Sequence, residues 1–273
     1  MADVRPQAPH PADRMDASVL RDKRAVLFFV LGAFLVANAI IAELIGVKLF
    51  QLEHVFGLDK ADFRLFGTEH LSFRLSIGVL SWPLVFLVTD VVNDYFGVRG
   101  VRFLTLVTVA LVALMFPILW LAIAAPPDQA WWVGYSVDAG VPDMQAAFAA
   151  IFGQGMNIIV GSLCAFMVSQ LADAVTFRWF KRLTGERRIW LRATGSTLIS
   201  QLVDSLLVTW VAFALFRGMP MAEATALALT AYVYKFGVAI VSTPLIYAAH
   251  GIIERWLGPE LAAAMRKQAM APT

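Results

Sequence analysis

From Phe103 to Ala124 the chain carries no ionisable residue, and that run limits the fold more than any other feature. At ~1.5 Å per residue it is about as long as the ~30 Å hydrocarbon core of a bilayer is thick. In lipid every backbone N–H and C=O must be satisfied within the protein, which a helix does by itself. Comparable runs recur, and 59% hydrophobic against 15% charged residues would leave a soluble domain with more apolar surface than it can hide. The expectation is an all-α integral membrane protein, a bundle of six transmembrane helices: about Ala25–Val47, Ser76–Phe96, Val101–Ala124, Met156–Phe177, Leu191–Phe216 and Thr225–Ile252. Residues 1–24 read as a flexible cytoplasmic tail, 25–256 as the membrane domain and 257–273 as a cytoplasmic tail.

Charge placement sets the expected orientation. One set of connections collects Arg5, Arg14, Arg21, Lys23 and Arg24, then Arg99 and Arg102, then Arg178, Lys181, Arg182, Arg187, Arg188 and Arg192, and finally Arg255, Arg266 and Lys267. The other side has Lys48, Lys60, Arg64, Arg74 and Arg217. The excess of positive charge places both termini in the cytoplasm. The N-terminal stretch lacks the h-region and cleavage site of a secretory signal. A net charge of +2, sorted into a few loops, gives no reason to expect a nucleic-acid partner. The stretch 126–142 has no Lys or Arg, and its Trp131, Trp132 and Tyr135 suit an interfacial aromatic belt. Asp143 is placed to cap a helix through Ile151, with Gly153 and Gly155 loosening the join to the next span. Between the first two spans, Phe63–Leu75 alternates around Gly67 as a short hairpin or interfacial segment would.

No cofactor or metal site is expected. The single cysteine, Cys164, excludes an intrachain disulfide and a multi-cysteine site, and reads as a small buried residue. His54 and His70 have no partner at ligand spacing.

The candidate binding residues are polar groups inside apolar helices, where they are costly unless they face one another or a polar cavity. Asp90, Asn93 and Asp94 share one face at i, i+3 and i+4, with Asp94 serving equally well as a helix stop. Trp82 precedes Pro83, which would kink the second helix from within. Two copies of one signature flank the central basic loop: Ser169-Gln170-Leu171-Ala172-Asp173 and Ser200-Gln201-Leu202-Val203-Asp204. In each copy Gln and Asp face the same way, and Thr197, Gln201, Asp204 and Ser205 extend the second into a stripe. Helix ends at Phe177 and Leu191 place Asp173 about 6 Å and Asp204 about 20 Å inside the inner boundary, as in a ladder rising from the cytoplasm. Such a stripe also suits a hydrogen-bonded helix hairpin without a transport role. Asn157, Gly161 and Ser162 line the same helix as the first copy, and Gly161 and Ala165 form a small-residue pair that predicts no dimer by itself. Lys235 lies near mid-membrane and needs a carboxylate or a ligand, with Asp204, Asp90 and Glu43 as candidates. Glu43 itself reads equally as an interfacial group paired along its helix with Lys48.

Three blocks carry a resemblance to a known family: Thr89-Asp90-Val91-Val92-Asn93-Asp94-Tyr95-Phe96-Gly97; Gly195-Ser196-Thr197-Leu198-Ile199-Ser200-Gln201-Leu202-Val203-Asp204-Ser205; and Tyr234-Lys235-Phe236-Gly237-Val238-Ala239 with Thr243-Pro244-Leu245-Ile246-Tyr247. Through them the chain resembles the queuosine precursor transporter family, also described as putative vitamin uptake transporters. It departs from the family pattern at Asp94, where Glu is commoner, and at Phe96, where Tyr is. The resemblance implies a multi-pass inner-membrane importer of 7-deazaguanine bases, and it favours a stand-alone carrier over a subunit needing an energising partner. A guanine-like edge offers two adjacent donors and an acceptor, which a carboxylate and an amide match, and its flat ring stacks on aromatics. Asp90 or Asp204 is the expected acceptor, Gln201 and Asn93 read the remaining positions, and Gln170, Asp94, Lys235 and Trp82 complete the expected set. The chain has no nucleotide-binding loop, zinc-protease helix or nucleophile elbow, so an enzyme is not expected.

Overall fold

The computed structural model describes residues 21–153, 156–184 and 189–270. Arg5, Arg14, Gly155, Arg187 and Arg188, and the side chains of Trp131, Tyr135, Asn157 and Arg192, lie outside the described residues. The chain is mostly helical, and its apolar surface faces outward. Phe29, Phe103, Leu106, Trp120 and Val241 are all more than half exposed, a distribution that suits lipid rather than water. Among the described residues, four stretches are long and apolar enough to cross a membrane: Lys23–Ile45, Ile77–Ala124, Thr194–Leu215 and Met221–Val241.

Helix α1 (Lys23–Ile45) starts at Asp22, whose carboxylate accepts from the Arg24 amide at 2.9 Å. A small polar module follows. Strand β1 (Leu49–Gln51), helix α2 (Leu52–Val55), and strands β2 (Phe63–Leu65), β3 (Thr68–Leu71) and β4 (Arg74–Ser76) form two antiparallel pairs, β1 with β4 and β2 with β3. The β2–β3 turn has positive φ at Phe66 and Gly67, the twist that closes a tight hairpin. The expected hairpin is therefore present, and the membrane helices carry a small strand-bearing cap. Glu53 ties the cap together by accepting from the amides of Phe73 (2.9 Å) and Ala61 (3.2 Å). Burial pushes its carboxyl up, but these backbone donors outweigh that, and its pKa lies below 4.5.

A single 3-10 turn (Ile77–Leu80) leads into α3 (Trp82–Ala124), which continues without a loop although Gly97 has φ 69 and ψ −174. At Gly97 the chain doubles back. A methyl on Gly100 would lie 3.4 Å from Val92 Cγ1, eight residues earlier, whereas residues so spaced are ~12 Å apart along a straight helix. The expected second and third helices are thus two limbs of a hairpin. Pro83 sits in the first turn of α3, where its missing N–H costs nothing, rather than kinking it from within.

Helices α4 (Gln129–Ala139) and α5 (Met144–Gly153) follow, and Asp143 caps α5 at the Ala146 amide, 2.9 Å, as expected. Helix α6 (Met156–Thr184) and helix α7 (Ile189–Thr209) form the most extensive helix pair of the structure. A π-helical turn (Trp210–Leu215) continues α7. There Gly161 of α6 approaches the Ala212 backbone so closely that an added methyl would lie 3.3 Å from Ala212 N. The small residue serves a contact inside the bundle. Cys164 is exposed, contrary to expectation, because the inward phase of α6 falls on Ala165, Phe166 and Ser169.

The expected last helix is broken. Helix α8 (Met221–Val241) ends at Ser242, and α9 (Thr243–Leu257) restarts with Pro244 in its first turn, where proline interrupts the backbone ladder. Gly258 (φ 91) turns the chain into α10 (Pro259–Ala269), which packs on the Gly97 bend through Ala262 and Met265. Lys23 Nζ donates to the carbonyl of Trp256, so the described beginning of the chain and the end of α9 meet at one end of the bundle.

Candidate functional site

The interior of the bundle is polar along one seam because α6 presents Ser169, Gln170, Asp173, Phe177 and Lys181 on a single buried face. Opposite it α7 presents Ser196, Thr197, Ser200, Gln201, Asp204 and Ser205. The two signature copies meet reciprocally. Ser200 Oγ donates to Asp173 Oδ1 at 3.0 Å, and Ser169 Oγ lies 3.4 Å from Asp204 Oδ1. Each serine thus serves the aspartate of the other copy, as expected when two antiparallel helices related by a local two-fold carry the same sequence.

This changes the expected ladder. Because α6 runs on to Thr184, Asp173 is about 16 Å from its end and level with Ser200. The same extension carries Arg178, Lys181 and Arg182 into the helix. Lys181, expected in a basic loop, is 2% exposed and hydrogen-bonds the Asp94 carboxylate.

The site residues expected from sequence divide into two groups. Asp90, buried on the first limb of α3, accepts from Thr197 Oγ1 at 3.2 Å. Lys235 of α8 donates to Asp204 Oδ2 at 2.6 Å, which selects Asp204 from its three candidate partners. Asp90 and Lys235 line one recess together with Pro83, Phe86, Thr194, Thr197 and Ser242. Its volume is about 340 Å³ counting the part open to solvent, while its enclosed part holds little more than a water. The break at Ser242 forms one wall, so the recess is bounded by an α8–α9 joint rather than by a continuous helix.

The remaining expected residues lie elsewhere along the seam. Asn93 Nδ2 donates to the Ala174 carbonyl at 3.1 Å and fastens α3 to α6. Asp94 is fully buried between Lys181 and His250, whose Nε2 is 3.0 Å from Asp94 Oδ2. The other ring nitrogen of His250 is 2.9 Å from the Ile246 carbonyl. Trp82 packs on Phe166 with ring centroids 5.3 Å apart, outside the recess. Gln170 is fully buried, and among the described residues neither end of its amide has a partner; Gln201 Oε1 is likewise without one there. Neither glutamine lines the recess in this conformation. Glu43 receives the Ser162 hydroxyl and feels the charge of Asp204, so it joins the same seam rather than pairing with Lys48.

Sequence reasoning passed over Asp173 as a site residue and missed Lys181 and His250. The spacing of Gln170, Asp173, Phe177 and Lys181, continued one turn past the assumed helix end, was the signal for Lys181. His250 had no such mark, because its partner lies 156 residues away.

Comparison with known proteins places this architecture. The family described as putative vitamin uptake transporter matches residues 76–249, the stretch from the end of β4 into the first half of α9. A Bacillus subtilis (strain 168) protein named probable queuosine precursor transporter is 30% identical over 193 residues, covering 68% of this chain and 76% of that protein. An Escherichia coli (strain K12) protein named queuosine precursor transporter is 29% identical over 174 residues, covering 63% and 70%. No solved structure matches. The family is one of transporters, not enzymes, and its match spans the Asp90 block, the paired signatures and the Lys235 block. This chain belongs to the putative vitamin uptake transporter family.

Proposed function

We propose that the chain imports queuosine precursors, 7-cyano-7-deazaguanine or its 7-aminomethyl counterpart, across the bacterial inner membrane. The observation that carries the reading is the recess that brings the Asp90 carboxylate, the Lys235 ammonium and the Phe86 ring together between α3, α7 and α8. A flat guanine-like base needs an acceptor for its ring N–H and exocyclic amine, a donor for its carbonyl, and an aromatic face. Asp90, Lys235 with Thr197, and Phe86 supply these in turn. The names of the two relatives support the same substrate class.

In this conformation the enclosed part of the recess is too small for a base, so transport in this reading requires the α8–α9 joint at Ser242 to open. The Gln170 amide and Gln201 Oε1, which have no partner among the described residues, lie on the two helices of the seam and would gain partners from a ligand or from water admitted by that movement. Asp204 holds Lys235 in place. Asn93, Asp94 and Trp82 act in this reading as supports for the seam rather than as ligands. The proposed arrangement in the membrane keeps six spans, counting the two limbs of α3, α1, α6, α7 and α8 with α9, and puts both termini in the cytoplasm on the strength of the charge asymmetry.

The test is uptake of labelled precursor into cells lacking their own transporter. Asp204→Asn and Lys235→Ala are expected to abolish it at equal protein level; wild-type uptake by both would refute the assignment. Purified protein should also be thermally stabilised by 7-deazaguanines and not by unrelated bases.

A further inference from the structure

Behind the recess, Asp90 meets a second carboxyl group. Asp173 of α6 and Asp90 of α3 lie within hydrogen-bonding reach of each other. They are 0% and 1% exposed. Their other oxygens are engaged: Asp90 Oδ2 accepts from Thr197 and Asp173 Oδ1 from Ser200, and the Ser196 hydroxyl also bonds to the Asp173 carboxyl group. Their remaining oxygens, Asp90 Oδ1 and Asp173 Oδ2, are buried and receive no hydrogen bond from any N–H or O–H group among the described residues. Two ionised carboxylates so placed, in a dry interior, repel strongly, whereas one proton between them satisfies both orphan oxygens at once.

Nearby charges do not relieve the pair. On α3, Asp94 lies one turn below Asp90 and adds negative charge, but it is engaged with Lys181 of α6 and His250 of α9. On α7, Asp204 is engaged with Lys235 of α8. Glu43 of α1 faces Asp204 and the Ser162 hydroxyl. Among the described lining residues of the recess, Lys235 is the cation that could turn toward Asp90, and it is held 2.6 Å from Asp204 instead.

We propose that Asp90 and Asp173 share a single proton and that this proton travels inward with the substrate, one for one. Asp90 lines the recess and Asp173 does not, so the two divide the work. With the proton held by Asp173 and donated to Asp90 Oδ1, Asp90 Oδ2 stays an acceptor for the N–H groups of an incoming base. Loss of the proton to cytoplasmic water leaves two facing carboxylates, draws Lys235 from Asp204 toward Asp90, and removes the acceptor that the base used. The proton gradient is the co-reactant, no bond other than O–H is made or broken, and the carrier returns when the pair is reprotonated from the outer side.

The inference rests on the proposed substrate, and the experiment separates the two. Purified protein in liposomes, with the membrane potential clamped by valinomycin and potassium, is given labelled 7-cyano-7-deazaguanine under an acid-outside gradient of one pH unit. At one proton per substrate, the wild type should accumulate the base about tenfold inside, and a trapped pH dye should report acidification on substrate addition. Counterflow of label against unlabelled base, at equal pH on both sides, measures binding and exchange without the gradient. Asp173→Asn cannot cycle the proton, so its gradient-driven accumulation, normalised to its own counterflow, should fall about tenfold, to equilibration; Asp173→Glu should restore it in part. Intact wild-type counterflow with no response to the pH gradient overturns the inference alone, as does undiminished accumulation by Asp173→Asn. Absence of wild-type counterflow overturns the substrate assignment and the coupling built on it. If the asparagine variant fails to fold, the wild-type gradient and dye measurements decide.

Discussion

Replacing Asp94 with leucine should be among the most damaging single changes in this protein. Asp94 is fully buried, Lys181 is 2% and His250 4% exposed, and together they join the first limb of α3 to α6 and α9. Both nitrogens of His250 face acceptors, the Ile246 carbonyl and the Asp94 carboxylate. Removing the carboxylate leaves a buried ammonium beside that ring with its main anion gone. Breaking a buried pair from one side costs about 3–5 kcal/mol, because the surviving charge has lost its counter-charge and cannot reach water. For a chain of this size each kcal/mol is about 2–4 °C of melting temperature, so Asp94→Leu should lower it by about 6–20 °C in detergent, followed by tryptophan fluorescence. Lys181→Met should be similarly harmful alone. The double variant Asp94→Leu/Lys181→Met removes both charges, and its loss of stability should be smaller than the sum of the two single losses by at least about 2 kcal/mol. Additive losses, or a loss under about 1 kcal/mol for Asp94→Leu, would show that the pair is not a buried interaction of the folded state.

Further expectations follow from other parts of the structure. Gly97→Ala should cost about 2 kcal/mol or more, since an L-residue at φ 69 is strained and its methyl would sit 2.8 Å from the Ala269 carbonyl; truncation before Pro259 should relieve the clash and leave the strain, measurable as a smaller melting-temperature loss. Ser200→Ala removes a hydrogen bond to a buried carboxylate at 3.0 Å and should cost about 1.5–3 kcal/mol, while Ser169→Ala, at 3.4 Å, should cost less; equal losses in thermal unfolding would contradict the geometry. Glu53 has a folded pKa below its ordinary 4.5, so its contribution to the polar cap is present above pH 4.5 and disappears as pH falls through the lower folded value. The protection of the Phe73 and Ala61 amides, measured relative to their intrinsic exchange rates at each pH, should therefore fall at acid pH in the wild type and be lower already near neutrality in Glu53→Gln, with no further acid step.

The membrane character, the family and most helix positions could be read from the chain because they depend on local properties. A run such as Phe103–Ala124 has one way to satisfy its backbone in lipid, and the Gly67 hairpin and the Asp143 cap depend on neighbours a few residues away. Errors gathered where a local rule has two outcomes. Pro83 begins a helix instead of kinking one, Pro244 starts a new helix inside an expected continuous span, Gly97 folds two expected helices onto each other without a loop, and α6 outlasts its apolar stretch by two turns because Lys181 has a buried anion waiting.

Sequence alone determined that ionisable groups would stand among apolar helices, and which ones, since the cost of placing Asp90, Asp204 or Lys235 in hydrocarbon depends only on their chemistry and depth. The tertiary structure decided how they are paired. Asp204 takes Lys235, Asp94 takes Lys181 and His250, and Asp90 faces Asp173, although the spacing along the chain favours none of these matches. The physical reason is that a buried charge is stabilised by whichever opposite or protonated group packing brings within a few ångströms, and those distances belong to the arrangement of helices, not to any one of them.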